Sequence, residues 1–361
     1  MHFYESSIIT TKDGLYCQSY ANEHPINAIL VKPKYIPTDI IHSDAFQYRF
    51  ISGKRMNRLN LWADRKKLTS YIKAFKEQYP EYVFHSDMHQ GRRLFFQVPL
   101  DRIERIYFPK TGLTDMMKMP PGQMDPHLKT CHEFVGFLLN SGLELKDLGI
   151  TYSTLMGHYS SKKSDINIVV YGKENYWKLM EFLKQAQHQK LRWKTEEEWL
   201  DYHKRRNRFK VFSEKDFLFL KQRIRSEGFF DDTLFVIFAV EKEDEIRSKW
   251  GSEKFVDQGI AKIRATVADN HDSTVRPGRY KVKEYKVLEG GKTGGKAVDD
   301  LTGVVFYSRD YSMLAEPGEL IEARGILEKV EPKKGKPYHR LVVGYFDSYT
   351  NDRHEYIKVI L

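Results

Sequence analysis

The chain has 361 residues, of which 41% are hydrophobic, 30% charged and 14% aromatic. This length suits two or three domains, and the composition excludes a chain dominated by disorder. The 59 Lys and Arg residues outnumber the 49 Asp and Glu residues, and the net charge of +10 favours a polyanionic partner such as nucleic acid or nucleotide phosphate.

The cysteines and the hydropathy pattern indicate a cellular compartment. Cys17 and Cys131 are the two cysteines, and their separation matches neither a zinc site nor a disulfide scaffold. The first residues lack a basic start followed by an apolar stretch, and no apolar run reaches the roughly 20 residues that span a bilayer. We therefore expect a cytoplasmic protein that does not enter a membrane.

Residues 1–115 are predicted to form an N-terminal α+β domain. Strand-like segments over 14–20 and 28–31 flank a polar turn, and apolar residues at helical spacing predict a helix over 65–78. Two further strands are expected over 82–84 and 94–98. Residues 116–124, which contain Pro120-Pro121-Gly122, are predicted to be a linker because consecutive prolines and a glycine interrupt regular structure.

Residues 125–250 are predicted to form a second domain of helices and strands. Asp125 as N-cap and Pro126 at the first helical position begin a helix that ends near residue 140. A short strand over 166–171, a helix over 174–188, two capped helices from Thr195 and Ser213, and a strand over 234–240 follow.

Residues 255–361 are predicted to be all-β. Six strand-like segments separated by Gly-rich turns are typical of a small barrel or sandwich, and an OB-like barrel is one candidate. The predicted strands cover residues 263–267, 280–287, 304–307, 320–329, 341–346 and 356–360.

The segment Gly149–Gly172 carries the most informative pattern. A turn with Ser153 is followed by a polar loop and then by Asp165 and Asn167 at the start of an apolar strand. Residues i and i+2 of a strand project to the same face, so two oxygen ligands there can hold Mg²⁺ against a nucleoside triphosphate. The serine and the amides of the turn can hold phosphates. Without this wider order, the same residues would indicate only a buried strand preceded by a polar loop.

This order resembles the signature of DNA polymerase β-type nucleotidyltransferases. It is more closely similar to a group of archaeal predicted nucleotidyltransferases, in which a similar N-terminal region, the transferase-like domain and a β-rich tail follow in the same order. The resemblance covers most of the chain. It implies a multidomain α+β protein whose central nucleotidyltransferase-like α/β domain has a mixed sheet and precedes an all-β domain, OB-like or another small barrel.

The resemblance also implies roles for individual residues. Asp165 and Asn167 occupy the catalytic and metal-binding positions, and Ser153, Thr154 and Gly157 occupy positions beside the triphosphate. Mg²⁺ is the implied metal, and a nucleoside triphosphate is the implied substrate.

Three positions depart from the pattern of this superfamily. Tyr152 stands where the turn glycine is expected, Asn167 stands where the second carboxylate is expected, and Val236 aligns with the third. An amide supplies an oxygen but no charge, so Asp165 alone is expected to bind one Mg²⁺-nucleotide weakly, and two-metal transfer is expected to be weak or lost.

The acidic pair Asp231 and Asp232 offers a replacement for the missing third carboxylate. These residues directly precede the strand of Val236. Acidic residues at such a position are more typical of solvated turns.

Two basic clusters are candidate anion sites. Arg205, Arg206 and Arg208 at the end of the helix from Thr195 are predicted to bind nucleotide phosphates, although cations there also complement the helix dipole. A basic strand is predicted to bind RNA or single-stranded DNA, although alternating charge also suits a half-solvated strand. Its candidate residues are Arg279, Lys281, Lys283 and Lys286.

The predicted function is therefore binding of nucleotide, nucleic acid or both, with Mg²⁺-dependent nucleotidyl transfer weak or lost. The alternative is a catalytically inactive nucleic-acid-binding or scaffold module that keeps the transferase fold for recognition alone. A purely structural assembly protein is a third hypothesis, which the positive charge and the aromatic residues of the C-terminal domain favour less.

Overall fold

The computed structural model describes residues 1–38, 46–59, 65–90, 94–161, 163–205, 211–290, 298, 300–345 and 354–361. These residues form three β-sheets and seven α-helices. The chain is thus a multidomain α+β protein, as its sequence predicts. Within the described residues, no helix combines the length and the apolar character needed to cross a membrane.

The first sheet is built from the N-terminal segment. Its elements are β1 (Ile8–Thr11), β2 (Tyr16–Ser19), β3 (Ala28–Pro37), β4 (Phe46–Ile51), β5 (Lys54–Leu59), α1 (Arg65–Gln78), β6 (Val83–His85), β7 (Leu94–Pro99) and β8 (Ile103–Tyr107). The strand order is β4-β5-β3-β2-β1-β8, with β7 pairing with β3 and β6. The helix predicted over 65–78 is confirmed as α1, and its Tyr71, Ile72 and Phe75 are buried against one face of the sheet.

The second sheet is mixed. Its strands and the helices around it are α2 (Pro109–Met117), α3 (Pro126–Leu139), β9 (Leu148–Ile150), α4 (Tyr152–Met156), β10 (Ile166–Tyr171), α5 (Lys173–Gln185), β11 (Leu191–Arg192), α6 (Glu196–Lys204), α7 (Glu214–Arg223), β12 (Glu227–Phe230) and β13 (Thr233–Val240). The order is β11-β12-β13-β10-β9, with β10 and β13 parallel and the other pairs antiparallel.

The core of the second sheet includes residues that precede the predicted linker. Leu113 and Met116 of α2 pack in the same hydrophobic cluster as Leu148 and Ile150 of β9. Within the predicted linker, residues 121–123 form one turn of 3₁₀ helix before Asp125 caps α3 by accepting a hydrogen bond from the Leu128 N–H at 3.0 Å. The chain therefore passes from the first sheet to the second between β8 and α2.

The third sheet closes on itself. Its strands are β14 (Glu253–Asp269), β15 (Gly278–Gly290), β16 (Leu301–Phe306), β17 (Leu320–Pro332), β18 (Tyr338–Val343) and β19 (Tyr356–Val359). The order β14-β15-β16-β18-β17 returns to β14 through the pairing of β17 with β14, and β16 and β18 are parallel. The C-terminal strands therefore form a five-stranded barrel, to which β19 adds along β17.

The three sheets share apolar and charged contacts. Trp199 of α6 and Phe217 of α7 pack into the core cluster of the barrel, although in the sequence these helices connect the strands β11 and β12 of the second sheet. Leu30 of the first sheet packs with barrel residues such as Val305. Glu5, which is fully buried, is ion-paired with Arg276 and Arg309 of the barrel segment at 2.7 and 3.1 Å. These contacts bring the N-terminal sheet and the helices α6 and α7 against the barrel.

Candidate functional site

One face of the second sheet carries the Asp165 and Asn167 positions. Ile166 and Ile168 of β10 are buried in the core with α3 and α5, so Asn167 projects from the opposite face and Asp165 shares that face by strand alternation. Asn167 is 3% exposed, and its Nδ2 donates to the backbone oxygen of Asp165 at 3.4 Å. The Asp165 carboxylate forms no hydrogen bond or ion pair with the described residues. It is therefore available to a ligand.

The register of three strands defines the rest of this face. Asn167 lies opposite Val236 in the parallel β10–β13 pair, and Val236 lies opposite Glu227 in the antiparallel β12–β13 pair. An apolar side chain thus occupies the strand position next to Asn167. Glu227 is on the same row but is ion-paired with Lys194, which compensates its charge.

The acidic pair Asp231 and Asp232 forms the turn of the β12–β13 hairpin. Their φ angles are 50° and 56°, the left-handed values that a two-residue type I′ turn requires at both positions. Both carboxylates are exposed. The Asp231 carboxylate lies 3.8 Å from the Lys190 ammonium, and the Asp232 carboxylate lies 3.7 Å from the Arg192 guanidinium. The hairpin turn explains this pair, and neither residue lines the cleft described below.

Tyr152 has the backbone conformation of a glycine. Its φ is 59°, a left-handed value that costs a residue with a Cβ roughly 1 to 2 kcal/mol. Its ring packs edge-on against Phe238 with centroids 5.7 Å apart, and the Lys34 ammonium lies 3.2 Å from the ring centroid. The Tyr152 hydroxyl accepts a hydrogen bond from Gln18 at 3.0 Å. A phenol ring therefore occupies space that a glycine would leave open on this face.

The other residues of the turn are engaged in local structure. Thr154 is buried, and its hydroxyl is hydrogen-bonded to His127 Nε2 at 2.9 Å. Gly157 ends α4 in a left-handed conformation, with φ 71°. Ser153 is half-buried, and its backbone oxygen accepts from the His158 N–H at 3.1 Å. None of these three predicted phosphate-binding residues lines the cleft.

A cleft of about 770 Å³ opens on the Asp165 face. The second sheet forms one wall, α6 and α7 form another, and segments next to the barrel complete it. The cleft brings Asp165 and Val236 together with Arg205, one of the predicted phosphate-binding arginines. The other lining residues used below are Lys194, Glu198, Asp201, Lys221, Glu227, Thr274, Arg309, Asp310 and Ser312.

Asp165 is electrostatically coupled to Lys34 beyond hydrogen-bonding distance. Burial of the Lys34 ammonium, together with Arg58, holds the pKa of Lys34 well below its usual value, and the Asp165 carboxylate offsets part of this effect. Arg309 also acts on Lys34, and its guanidinium lies 4.0 Å from the centre of the Phe238 ring. Burial, Lys34 and Arg58 lower the pKa of His158 to about 4, so this imidazole is neutral at pH 7. Lys34 and Asp165 thus influence each other, and Arg309 supplies a cation to the cleft that Asp165 lines.

The basic end of α6 lies partly outside the described residues. Arg205 is exposed at the cleft, and its Nε donates to the backbone oxygen of Asp201 at 3.1 Å. Arg206 and Arg208 lie outside the described residues, so their predicted phosphate contacts stay a prediction.

The basic strand is β15, and its four predicted residues differ in their surroundings. Arg279 is half-buried in a second cavity, away from the cleft. Lys281 is ion-paired with Asp269 at 2.7 Å. Lys283 and Lys286 are exposed. The exposed lysines of this set without an ion pair among the described residues are thus Lys283 and Lys286, and the exposed Glu284 lies between them.

The donor set does not fit two magnesium ions. The described part of the chain contains no group of three or more His, Cys, Asp and Glu side chains that could hold a metal ion. Asp165 offers a carboxylate, Asn167 a neutral oxygen and Val236 nothing. One Mg²⁺ carried by nucleotide phosphates needs only one or two carboxylates, which Asp165 satisfies at the lower limit.

The chain is similar to an archaeal protein along almost its whole length. It is 27% identical over 354 residues to an uncharacterized protein of Methanocaldococcus jannaschii, and the alignment covers 97% of each chain. No protein-family model matches the chain, and no solved structure matches it. The similarity is therefore to an archaeal protein as a whole and brings no activity with it.

Several residues of the site had no sequence signal of their own. Lys34 and Arg309 come from the first sheet and the barrel segment, and only the packing of the three sheets brings them to Asp165. Glu227 is different. A two-residue turn at Asp231-Asp232 places Glu227 opposite Val236. Counting back from this turn in the sequence therefore identifies Glu227.

Proposed function

We propose that the chain binds a nucleoside phosphate in the cleft beside Asp165 and that it does not carry out two-metal nucleotidyl transfer. The observation that carries the proposal is the register of β10 and β13, which aligns Asn167 with Val236 on the face of Asp165. This is the arrangement that the resemblance to DNA polymerase β-type nucleotidyltransferases implies, with one of the three expected carboxylates retained.

Polar groups in the cleft wall support binding of a phosphate. Thr274 is 4% exposed, and neither its Oγ1 nor the Oγ of Ser312 has a hydrogen-bond partner among the described residues. A buried hydroxyl without a hydrogen-bond partner destabilises the protein. Both hydroxyls can donate a hydrogen bond to a phosphate oxygen, which is an acceptor. Arg205 and Lys221 add positive charge on the helical wall.

Three of the other acidic residues that line the cleft are engaged with partners, which leaves Asp165 on the sheet and Asp201 on the helical wall. Glu227 is ion-paired with Lys194, and Glu198 is ion-paired with Arg192 at 3.0 Å. Asp310 accepts from the Ser308 hydroxyl at 2.7 Å. Asp201 lies at the same wall as Arg205. Asp165 is thus suited to share one Mg²⁺ with the phosphates of a bound nucleotide, with Asn167 as a neutral neighbour.

The alternative function is nucleic-acid or scaffold binding with no nucleotide in the cleft. The Tyr152 ring favours it, because the ring lies under the Lys34 ammonium and packs edge-on against Phe238 on the face where a triphosphate would lie. The OB-like strand order of the barrel also supports an interaction with single-stranded nucleic acid, to which Lys283 and Lys286 would contribute.

Calorimetric titration of ATP, with and without Mn²⁺, tests the proposal. We expect wild-type protein to bind ATP, Asp165→Asn to weaken binding of Mn²⁺-ATP more than that of free ATP, and Arg205→Ala to weaken both. Arg105→Ala is the matched control, because Arg105 is an exposed arginine of β8 in the first sheet. Absence of ATP binding to the wild type would favour the alternative function.

An incorporation assay tests the catalytic part separately. Labelled nucleotide, Mg²⁺ and RNA or DNA acceptors should give no incorporation above background. Robust incorporation that disappears in Asp165→Ala would overturn the loss of nucleotidyl transfer while leaving nucleotide binding intact.

A further inference from the structure

A second cavity, of about 250 Å³, lies between the first sheet, residues 246–250 and the outer wall of the barrel. No described residue lines both this cavity and the Asp165 cleft. The cavity is slightly smaller than the roughly 300 to 1,000 Å³ of typical small-molecule sites, so it suits a compact ligand. It is unrelated to the transferase resemblance and requires its own explanation.

Arg279 in the cavity wall has no carboxylate of a described residue within ion-pairing distance, and Asp272 acts on its charge from farther away. Its Nη2 donates to the backbone oxygen of Thr302 at 3.4 Å, and it forms no ion pair with the described residues. The neighbouring Arg247 and Arg340 are ion-paired, with Asp272 at 3.1 Å and with Glu328 at 2.9 Å. Burial and Arg247 lower the pKa of Arg279. A half-buried guanidinium without a carboxylate favours an anionic ligand.

The carboxylates at the cavity have partners other than Arg279. Glu253 accepts from the hydroxyls of Tyr338 and Ser248 at 2.9 and 2.8 Å. Glu23 accepts from the Trp250 N–H at 3.0 Å, and Glu241 lies 3.3 Å from the Lys173 ammonium. None of these three carboxylates is ion-paired with Arg279, although the hydrogen-bond partners of Glu253 are neutral groups.

Asn22 adds a buried hydrogen-bond donor to the same cavity. Its side-chain oxygen accepts from the Glu5 N–H at 2.9 Å, whereas its Nδ2 has no partner among the described residues. The residue is 2% exposed. An acceptor atom on a ligand would satisfy this amide, which otherwise carries the cost of an unpaired buried donor.

Aromatic rings form much of the remaining wall. Tyr20 and Tyr307 stack with centroids 6.1 Å apart, and Trp250 packs against Phe84 at 5.7 Å. Trp250, Tyr307 and Tyr338 all line the cavity. Flat, polarisable walls favour a planar ring in the ligand, since stacking on such rings adds to the burial of apolar area.

We propose that this cavity binds a small aromatic anion, such as a nucleoside monophosphate or an aromatic carboxylate, with its ring against Trp250 and Tyr338 and its anionic group on Arg279. The cavity is a ligand site of its own, separate from the nucleotide site proposed beside Asp165. The two ligand classes differ in their anionic group, which is a phosphate in a nucleoside monophosphate and a carboxylate in an aromatic acid. Titration with one ligand of each class distinguishes them.

Titration followed by tryptophan fluorescence and calorimetry tests the site with AMP, indole-3-acetate, adenosine and inorganic phosphate. We expect AMP, indole-3-acetate or both to bind and to quench fluorescence, with adenosine and phosphate at least about tenfold weaker. Which of the two anions binds more tightly identifies the source. Failure of both to bind, or adenosine binding as tightly as AMP, would overturn the proposal.

Variants place the binding in this cavity. Arg279→Met should weaken binding about tenfold or more, whereas Lys283→Met, the same change on the exposed part of the same strand, should not. Trp250→Phe should remove the quenching. Arg205→Ala in the Asp165 cleft should leave the binding of indole-3-acetate and the quenching of Trp250 unchanged, which separates the two sites. The ligand-free Arg279→Met protein should unfold at the same temperature as the wild type or higher, because it loses an uncompensated charge. Unchanged affinity in Arg279→Met, or a clear loss of stability, would contradict the assignment.

Discussion

Asn167 of β10 lies directly opposite Val236 of β13 in a parallel register. It is the second residue pair of the two strands, and Asp165 directly precedes the first. This pairing places an amide and an isopropyl group side by side where a two-metal site would need two carboxylates. Val236 in turn faces Glu227, whose charge is compensated by Lys194. The side chains of this row therefore do not supply the carboxylates that a two-metal site requires.

Replacing Asn167 with Asp restores one missing negative charge on this face. Asn167 is 3% exposed, so the ligand-free variant should be less stable than the wild type, because a buried carboxylate then lies beside Asp165. Mn²⁺ should bind the variant about tenfold more tightly, which corresponds to about 1.4 kcal/mol. Calorimetry and thermal unfolding with and without Mn²⁺ measure both effects. The double variant Asp165→Ala/Asn167→Asp is the control, and equal Mn²⁺ affinity in all three proteins would mean that this face is not a metal site.

The left-handed backbone at Tyr152 predicts an unusual order of stability. Tyr152→Gly and Tyr152→Ala both remove the ring, but only glycine adopts φ near 59° without strain. Tyr152→Gly should therefore be more stable than Tyr152→Ala by about 1 kcal/mol in urea unfolding. Ser153, the next residue of α4, is the control, where alanine should be more stable than glycine. An alanine variant at position 152 as stable as the glycine variant would contradict the strain.

His24 predicts a loss of stability in acid. The imidazole is fully buried, its Nδ1 accepts from the Leu30 N–H at 3.0 Å, and burial lowers its pKa to about 4. The unfolded chain takes up this proton near pH 6.5, before the folded chain does. The stabilisation is therefore complete above about pH 6.5 and is lost as the pH falls towards 4, by about 3 kcal/mol.

Urea unfolding at pH 7 and pH 4.5 measures this effect. His24→Gln should reduce the difference in unfolding free energy between the two pH values. His85→Gln, which changes an exposed histidine, should leave the difference as in the wild type. An unchanged difference in His24→Gln would show that other groups cause the acid sensitivity.

The exposed half of β15 predicts a salt-dependent interaction with single-stranded nucleic acid. Lys283 and Lys286 are exposed, whereas Lys281 is paired with Asp269. Lys283→Ala/Lys286→Ala should flatten the slope of log affinity against log salt by about 0.7 to 0.9 for each phosphate that the variant no longer neutralises. Titrations of fluorescent RNA and DNA single strands measure the slope.

Lys118→Ala/Lys146→Ala is the matched control, because it removes the same charge from side chains that are 73% and 69% exposed outside the barrel. Equal slopes for the two double variants would show that Lys283 and Lys286 are solvated and do not contact nucleic acid.

Local sequence determined part of the secondary structure, whereas elements such as α2 and the strands β4, β5 and β8 were not predicted from it. The helix over 65–78 and the strand over 166–171 were predictable because apolar periodicity and flanking residues act within a few positions of the chain. The cap of α3 by Asp125 was predictable for the same reason. The positions of Asp165, Asn167 and Val236 on neighbouring strands could also be expected, since the resemblance rests on the order of these elements.

Tertiary structure alone decided what surrounds these residues. The Thr151 hydroxyl donates to the backbone oxygen of Ser6 across 145 residues of sequence, and Arg309 donates to the Ser6 hydroxyl across 303. Interactions of this kind bring Lys34 over Tyr152 and bury Arg279 against the first sheet. Periodicity reports which face of an element is buried, but the partner of that face depends on how distant segments pack. The strands of the candidate site could therefore be predicted from local sequence. The charged residues around Asp165 and the separate cavity at Arg279 depend on the association of the three sheets.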